Sequence, residues 1–436
     1  MKRLLYDKLI EWKSKLGRKP LILRGVRQCG KTWLLKEFGK NEFRKIHYVN
    51  FEKSEKYRNL FSSGYNCGDI VNSISIIEQE DFILQEDLLF FDEIQDCPEA
   101  ITSLKYFCEE MNELALCCAG SLIGISFSGY SFPVGKIDIL NMYPMNFEES
   151  LMADNPQAAS VLQKFDRNTV VSEPVHQLLW DELKIYFMTG GMPEAISAYL
   201  QNKGNLLDAL IKTRNIQNLL VLGYRSDFSK HAGKENAAHI NRIFDNIPEQ
   251  IRKNIDGGVS RYRFKGVIPN KSKYSQFQGP IDWLLNAGLG IKCNIVETPS
   301  LPLKSNAKQG ILKVYMFDIG ILGAMNDLSF DSILNQDYGT YKGYYAENFV
   351  AQELIASGTA DLFSWEGRES QIEFLKIING KVVPIEVKSG KTVHSRSLSA
   401  FSDKYSPELK IKVTARNLDR SYPGCHNYPL YLSGKL

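Results

Sequence analysis

The chain has 436 residues, 44% of them hydrophobic and 24% charged, with a formal net charge of +3. This balance excludes a disordered polyelectrolyte and supports about two to four domains with full-sized cores. No run approaches the roughly 18 consecutive apolar residues of a membrane span, and Met1–Asp7 mixes acid with base, so neither a membrane segment nor a secretory leader is expected.

Residues 1 to 15 place Leu4, Leu5, Leu9 and Trp12 at helical spacing and read as a lead-in helix. From 16 to 150, candidate strands (Pro20–Leu23, Lys45–Phe51, Leu88–Phe91, Ala115–Ala119, Ile137–Asn141) alternate with helical stretches such as Gly68–Asp81 and Pro98–Glu113. Such alternation predicts an α/β fold, a doubly wound parallel sheet with helices on both faces. Residues 151–304 change character. Leu178–Thr189, Pro193–Leu200, Asn205–Arg225, Asn236–Ile255 and Ser275–Asn286 read as helices, and Gly290–Glu297 as a β stretch. Helices followed by a small hairpin predict a winged-helix module. Residues 305–436 return to α/β, with strands at Lys313–Phe317 and Lys381–Val387 and a helix at Tyr344–Ser357.

The first strand runs into Gly25-Val26-Arg27-Gln28-Cys29-Gly30-Lys31-Thr32, the G-x-x-x-x-G-K-[ST] pattern of a phosphate-binding loop, and a helix follows. A triphosphate is a dense anion, and main-chain N–H groups ahead of a helix N-terminus bind it with few charged side chains. Gly25 and Gly30 allow close approach of the backbone. Lys31 supplies charge to the β- and γ-phosphates, and the Thr32 hydroxyl can ligate Mg²⁺. Arg27, Gln28, Cys29 and Trp33 complete the candidate nucleotide-contacting stretch. Leu88–Phe91 is a buried-strand pattern ending in Asp92 and Glu93. Lying beside the loop strand, it would bring Asp92 to the metal and Glu93 to a water facing the γ-phosphate. The next strand ends in Gly120-Ser121, which makes Ser121 a candidate γ-phosphate sensor. Lys136 is a weaker candidate for reaching a nucleotide on a neighbouring subunit.

These motifs resemble those of a large family of prokaryotic AAA-type ATP-binding proteins. The likeness extends through Leu89-Phe90-Phe91-Asp92-Glu93-Ile94-Gln95, Tyr143–Glu149, Gly190-Gly191-Met192-Pro193-Glu194-Ala195 and Phe317-Asp318-Ile319-Gly320. It implies an ATPase domain over 1–150 with ATP and Mg²⁺, a helical and winged-helix domain over 151–304, and a restriction-endonuclease-like domain over 305–436.

In the last domain Glu347, Glu373, Glu386 and Lys388 form a candidate metal-dependent nuclease site. On a strand, Glu386 and Lys388 share a face, and carboxylates around a divalent metal with one lysine can activate water. The family usually has Asp where this chain has Glu373, and an acid where it has Gln371, which weighs against cleavage. Arg261-Tyr262-Arg263-Phe264-Lys265, with Lys271, Lys273 and Tyr274, interleaves bases with aromatics and suits nucleic acid.

The eight cysteines form no C-x-x-C pair and have no His at zinc-ligand spacing, as expected of free thiols in a reducing cytoplasm. Cys117 and Cys118 fall in an apolar run as small hydrophobes. The expected function is Mg²⁺-dependent ATP binding and hydrolysis that moves the later domains, on DNA or a protein partner. A nucleotide-gated switch with negligible turnover and an ATP-gated nuclease are the alternatives.

Overall fold

A computed structural model describes residues 1–62, 64, 66–121, 133–166, 168–231, 233–253, 261–334, 342–367, 370–390 and 395–436. The chain divides into two compact units, Met1–Tyr143 and Pro144–Leu436. No helix among the described residues is long and apolar enough to cross a membrane.

The first unit runs α1 (Leu5–Ser14), β1 (Leu21–Gly25), α2 (Lys31–Glu42), β2 (Ile46–Asn50), α3 (Glu55–Asn59), α4 (Cys67–Glu78), β3 (Leu88–Asp92), α5 (Pro98–Glu110), β4 (Ala115–Ser121) and β5 (Asp138–Met142). Its five strands are parallel in the order β2-β3-β4-β1-β5. Every residue of β3 is buried, as expected of a strand covered on both faces. Leu89 and Phe91 turn to one face with Ile70 and Ile74 of α4 and Leu104 and Phe107 of α5. Phe51, Phe61 and Phe91 pack edge to face there, with ring centroids 5.4–5.6 Å apart. Leu88 turns the other way, against Gly39 of α2, where a Cβ would lie 2.9 Å from its Cδ2. One expectation is corrected here. β3 does not adjoin the loop strand β1; β4 lies between them and pairs with both.

The second unit contains α6 (Phe147–Asp154), α7 (Pro156–Gln163), α8 (Glu173–Thr189), α9 (Pro193–Asn202), α10 (Leu206–His231), α11 (Lys234–Lys253), α12 (Gln278–Asn286), β6 (Gly290–Val296), β7 (Ala307–Met316), α13 (Ile319–Met325), α14 (Phe330–Leu334), α15 (Lys342–Ala356), β8 (Leu362–Glu366), β9 (Gln371–Ile378), β10 (Lys381–Val387), α16 (Arg396–Tyr405), β11 (Lys410–Thr414) and β12 (Cys425–Pro429). The end of the helix expected over Asn236–Ile255 lies outside the described residues. Seven strands form one mixed sheet, β12-β11-β10-β9-β8-β6-β7. Gly290–Val296, within the stretch read as the β part of a small hairpin, lies inside this sheet. It is antiparallel to β7 and parallel to β8. The expected boundary at 304 therefore falls between two neighbouring strands of a single sheet.

The recurrent sequence landmarks of this unit meet in one buried joint. Gly190 has φ +64°, and a Cβ there would lie 2.3 Å from Oδ1 of Asp318, so only glycine fits. Asp318 is fully buried and accepts the Gly191 N–H at 2.6 Å and the Ile321 N–H at 2.9 Å. The Gly191 carbonyl accepts the Met145 N–H at 2.7 Å, and the Tyr186 hydroxyl donates to Met145 at 2.6 Å. Asn146 and Glu149 close a capping box on α6. Glu353 of α15 accepts the Phe147 N–H at 3.0 Å.

Burial pushes the Glu353 carboxyl from 4.5 up to about 8, with the charges of Glu149 and Glu148 adding to the rise. A carboxyl that holds its proton more tightly when folded contributes stability below its unfolded value, and that contribution fades as pH rises through the folded value. The thermal midpoint should therefore fall between pH 5 and pH 8, and Glu353→Gln should flatten that slope by several degrees in melts at the two pH values.

Candidate functional site

The phosphate-loop residues lie between β1 and α2. Gly30 has φ +97° and Gln28 φ +65°, turning the chain so that α2 starts directly at Lys31. No side chain caps the first N–H groups of α2, and its first turn holds no acid. That end can therefore receive an anion. Lys31 is buried and its Nζ donates to the carbonyls of Gly25 and Val26, each at 3.0 Å, which holds the ammonium inside the loop.

Thr32 and Asp92 come together from segments 60 residues apart: the threonine hydroxyl donates to Oδ1 of Asp92 at 3.1 Å. The other oxygen, Oδ2, accepts the Tyr48 hydroxyl at 2.6 Å and Asn50 Nδ2 at 3.5 Å, both from β2. Asp92 is 3% exposed, so these donors offset the cost of a buried carboxylate. Burial and the bond to Asp92 push the Tyr48 phenol up to about 12, which keeps it a donor. The Lys36 ammonium sits 3.8 Å over the Tyr48 ring. A hydroxyl and a carboxylate side by side are hard oxygen donors of the kind Mg²⁺ takes, so the residues fit that metal.

Glu93 has φ +50°, an unusual conformation for a non-glycine residue. Burial, with the charges of Asp92 and Asp96, raises its carboxyl above the ordinary range, while Gln95 and Lys31 pull the other way. Gln95 donates to Glu93 Oε2 at 2.5 Å and accepts the Ser121 N–H at 3.2 Å. Ser121 pairs in register with Gly25, so the tips of β1 and β4 adjoin.

Several loop residues serve packing. A Cβ on Gly25 would lie 2.2 Å from the Met142 carbonyl, so this glycine admits the end of β5. Cys29 is fully buried, with Sγ 3.8 Å from the same carbonyl. Arg27 is exposed, and Trp33 is 45% exposed on α2. Lys136 pairs with Glu109 of its own unit at 2.8 Å. All eight cysteines are free.

Sequence reasoning missed Arg3. It is buried and donates to the Cys29 carbonyl at 2.9 Å and the Tyr143 carbonyl at 2.6 Å. No motif marks Arg3; its partners are 26 and 140 residues away.

In the second unit Glu347, Glu373, Glu386 and Lys388 do gather, together with Lys313 and Tyr315, which sequence reasoning did not single out. Lys388 Nζ lies 3.3 Å from Glu386 Oε1, and Lys313 Nζ 3.6 Å from Glu347 Oε2. The Tyr315 hydroxyl donates to Glu347 at 3.2 Å, and Glu373 accepts the Val387 N–H at 3.1 Å. Glu386 is 1% exposed, and among the described residues neither of its oxygens has a partner of full hydrogen-bond geometry. Burial, then the charge of Glu347, pushes the Glu373 carboxyl up to about 7. Among the described residues no group of three His, Cys, Asp or Glu is disposed to hold a metal ion. In the basic–aromatic stretch Tyr262 is buried, and Phe264 packs on Tyr262 and Phe277 with centroids 5.1 Å apart and on Tyr274 at 5.7 Å. Tyr262 and Phe277 are core rings, Phe264 and Tyr274 are half-buried against them, and Arg261, Arg263, Lys265 and Lys273 stay exposed.

Residues 17–151 match the family model described as AAA domain. The N-terminal domain is an AAA-type P-loop domain. Residues 181–332 and 342–432 match two further models, each described only as a domain of unknown function (DUF8612 and DUF4143). Comparison with curated proteins gives no match. Among solved structures the chain is similar to a Walker-type ATPase of Pyrococcus abyssi, with 14% identity over 74% of this chain and 95% of the other and a TM-score of 0.45. It is also similar to the RuvB Holliday junction branch migration motor of Thermotoga maritima, with 14% identity, 69% and 90% coverage and a TM-score of 0.32. A third is the Orc1 protein of Aeropyrum pernix in complex with DNA, with 12% identity, 76% and 92% coverage and a TM-score of 0.25. At such scores none of the three bears on what this chain does.

Arg3→Met, which keeps the bulk and removes the donors, should destabilise the AAA domain by about 2 kcal/mol. Hydrogen exchange of the β1 and β3 amides should quicken correspondingly.

Proposed function

We propose that the AAA domain binds Mg²⁺-ATP at Gly25–Thr32 and hydrolyses it. The observation that carries this reading is the meeting of Thr32 with Asp92 at 3.1 Å beside an ammonium already drawn into the loop. Lys31 would exchange its two carbonyl partners for oxygens of the β- and γ-phosphates. Thr32 and Asp92 would hold Mg²⁺, which spreads the phosphate charge. Tyr48 and Asn50 keep Asp92 aimed at that position. Glu93, turned out of β3 by its positive φ, would orient the attacking water and take its proton. Ser121, abreast of Gly25, would sense the γ-phosphate. The chain carries no N-K-x-D guanine motif, which favours adenine.

Lys31→Ala should weaken Mg²⁺-ATP binding about 10- to 100-fold in calorimetric titration. Glu93→Gln should keep that affinity and lose about 10²–10⁴-fold in phosphate release. Wild type that binds but never turns over, with or without DNA, would instead be a nucleotide-gated switch.

For the second unit we favour a fold that does not cleave. Its three carboxylates face two ammonium groups, which supports a buried ion-pair network over a metal cage. The exposed Arg261, Arg263, Lys265 and Lys273 support binding to nucleic-acid phosphates. Mixed with duplex DNA and Mg²⁺, the protein should retain DNA in a salt-sensitive way on gels and cut it no more than Lys388→Ala does. Cleavage above that background would make the cluster a nuclease site.

A further inference from the structure

Gln95 stands between the two ends of the ATPase site. It lies in a short 3-10 turn, Ile94–Asp96, directly after Glu93. The left-handed backbone at Glu93 brings side chains two residues apart into contact. Through Nε2 the amide donates to Glu93 Oε2 at 2.5 Å; through Oε1 it accepts the Ser121 N–H at 3.2 Å. These partners fix its orientation. The Ser121 main-chain N–H only donates, so Oε1 must face it and Nε2 is left to the Glu93 carboxyl. The side chain thus spans from the end of β3 to the end of β4.

Ser121 is level with Gly25 across the β1–β4 pairing, so its main chain adjoins the mouth of the phosphate loop. Any shift of Ser121 on meeting a γ-phosphate moves the acceptor of Gln95 and, through one rigid planar group, the donor on Glu93. We infer that Gln95 is the positioning residue that couples phosphate occupancy at Ser121 to the orientation of the Glu93 carboxylate. This rests on the ATPase reading. Gln95 touches neither nucleotide nor water in this role; it acts through Glu93.

The test is single-turnover ATP hydrolysis by the full chain with separate measurement of ATP affinity. Gln95→Leu keeps the bulk and removes both bonds. It should lower kcat about 10- to 100-fold while KM, ATP affinity and the thermal midpoint hold within twofold or 2 °C. Gln95→Glu keeps the acceptor for Ser121 but sets a second carboxylate against Glu93, and should lose as much. In a Glu93→Gln background, Gln95→Leu should cost nothing further, because the group it acts through is already neutral. An unchanged kcat, a fall in affinity that matches the fall in rate, or the same loss in the Glu93→Gln background would each overturn the coupling and leave the ATPase reading standing. Failure of the wild type to bind Mg²⁺-ATP would overturn the ATPase reading itself, and the coupling with it.

Discussion

Asp92 is the constraint on which the proposed nucleotide site depends. A carboxylate 3% exposed needs donors, and here four groups supply them: Thr32 at the start of α2, Tyr48 and Asn50 on β2, and the Glu93 N–H. The demand of one buried charge therefore sets the height of α2 against the sheet and the register of β2 on β3. The parallel pairing of Asn50 with Asp92 is the visible result. With those positions fixed, β4 can lie between β3 and β1, and the tips of β1 and β4 fall together.

The second unit follows the same logic. Asp318 is buried where three main-chain N–H groups converge, those of Gly191, Ile321 and Gly320. It draws together a helix C-terminus, the Gly190-Gly191 turn and the start of α13. The Gly191–Met145 hydrogen bond extends this joint to the entry of α6. Landmarks that look like separate functional motifs along the chain are in this unit a single structural knot. Their residue types follow from close packing and from polar groups that must be satisfied in a dry interior.

How much of this the sequence reveals depends on whether an interaction is local. The phosphate loop is contiguous, and its glycines, lysine and threonine can be read without neighbours. The Asp92-Glu93 pair is legible because an apolar strand announces it. The parallel sheet is legible from alternation, although the place of β4 is not, since hydrophobic runs carry no strand order. Arg3, Tyr48, Gln95 and Lys313 are not legible, because each acts on atoms that folding alone brings close. In the stretch Tyr262–Tyr274 spacing suggests a stacking surface, but only folding shows that Tyr262 is buried while Phe264 and Tyr274 are half-buried. The wider setting of Gly290–Val296 is not legible either: a local β pattern could not reveal that its second partner, β8, lies some seventy residues on (Cys293 pairs with Leu362).

Gly25 leaves room for a single carbonyl, that of Met142, and Met142 closes the outermost strand of the five. One residue later the first unit ends and the polypeptide leaves for the second. The turn that opens the loop thus leans directly on the chain's own exit. Any side chain bulkier than hydrogen at position 25 would press on that carbonyl and disturb the end of the first strand and the point of departure together.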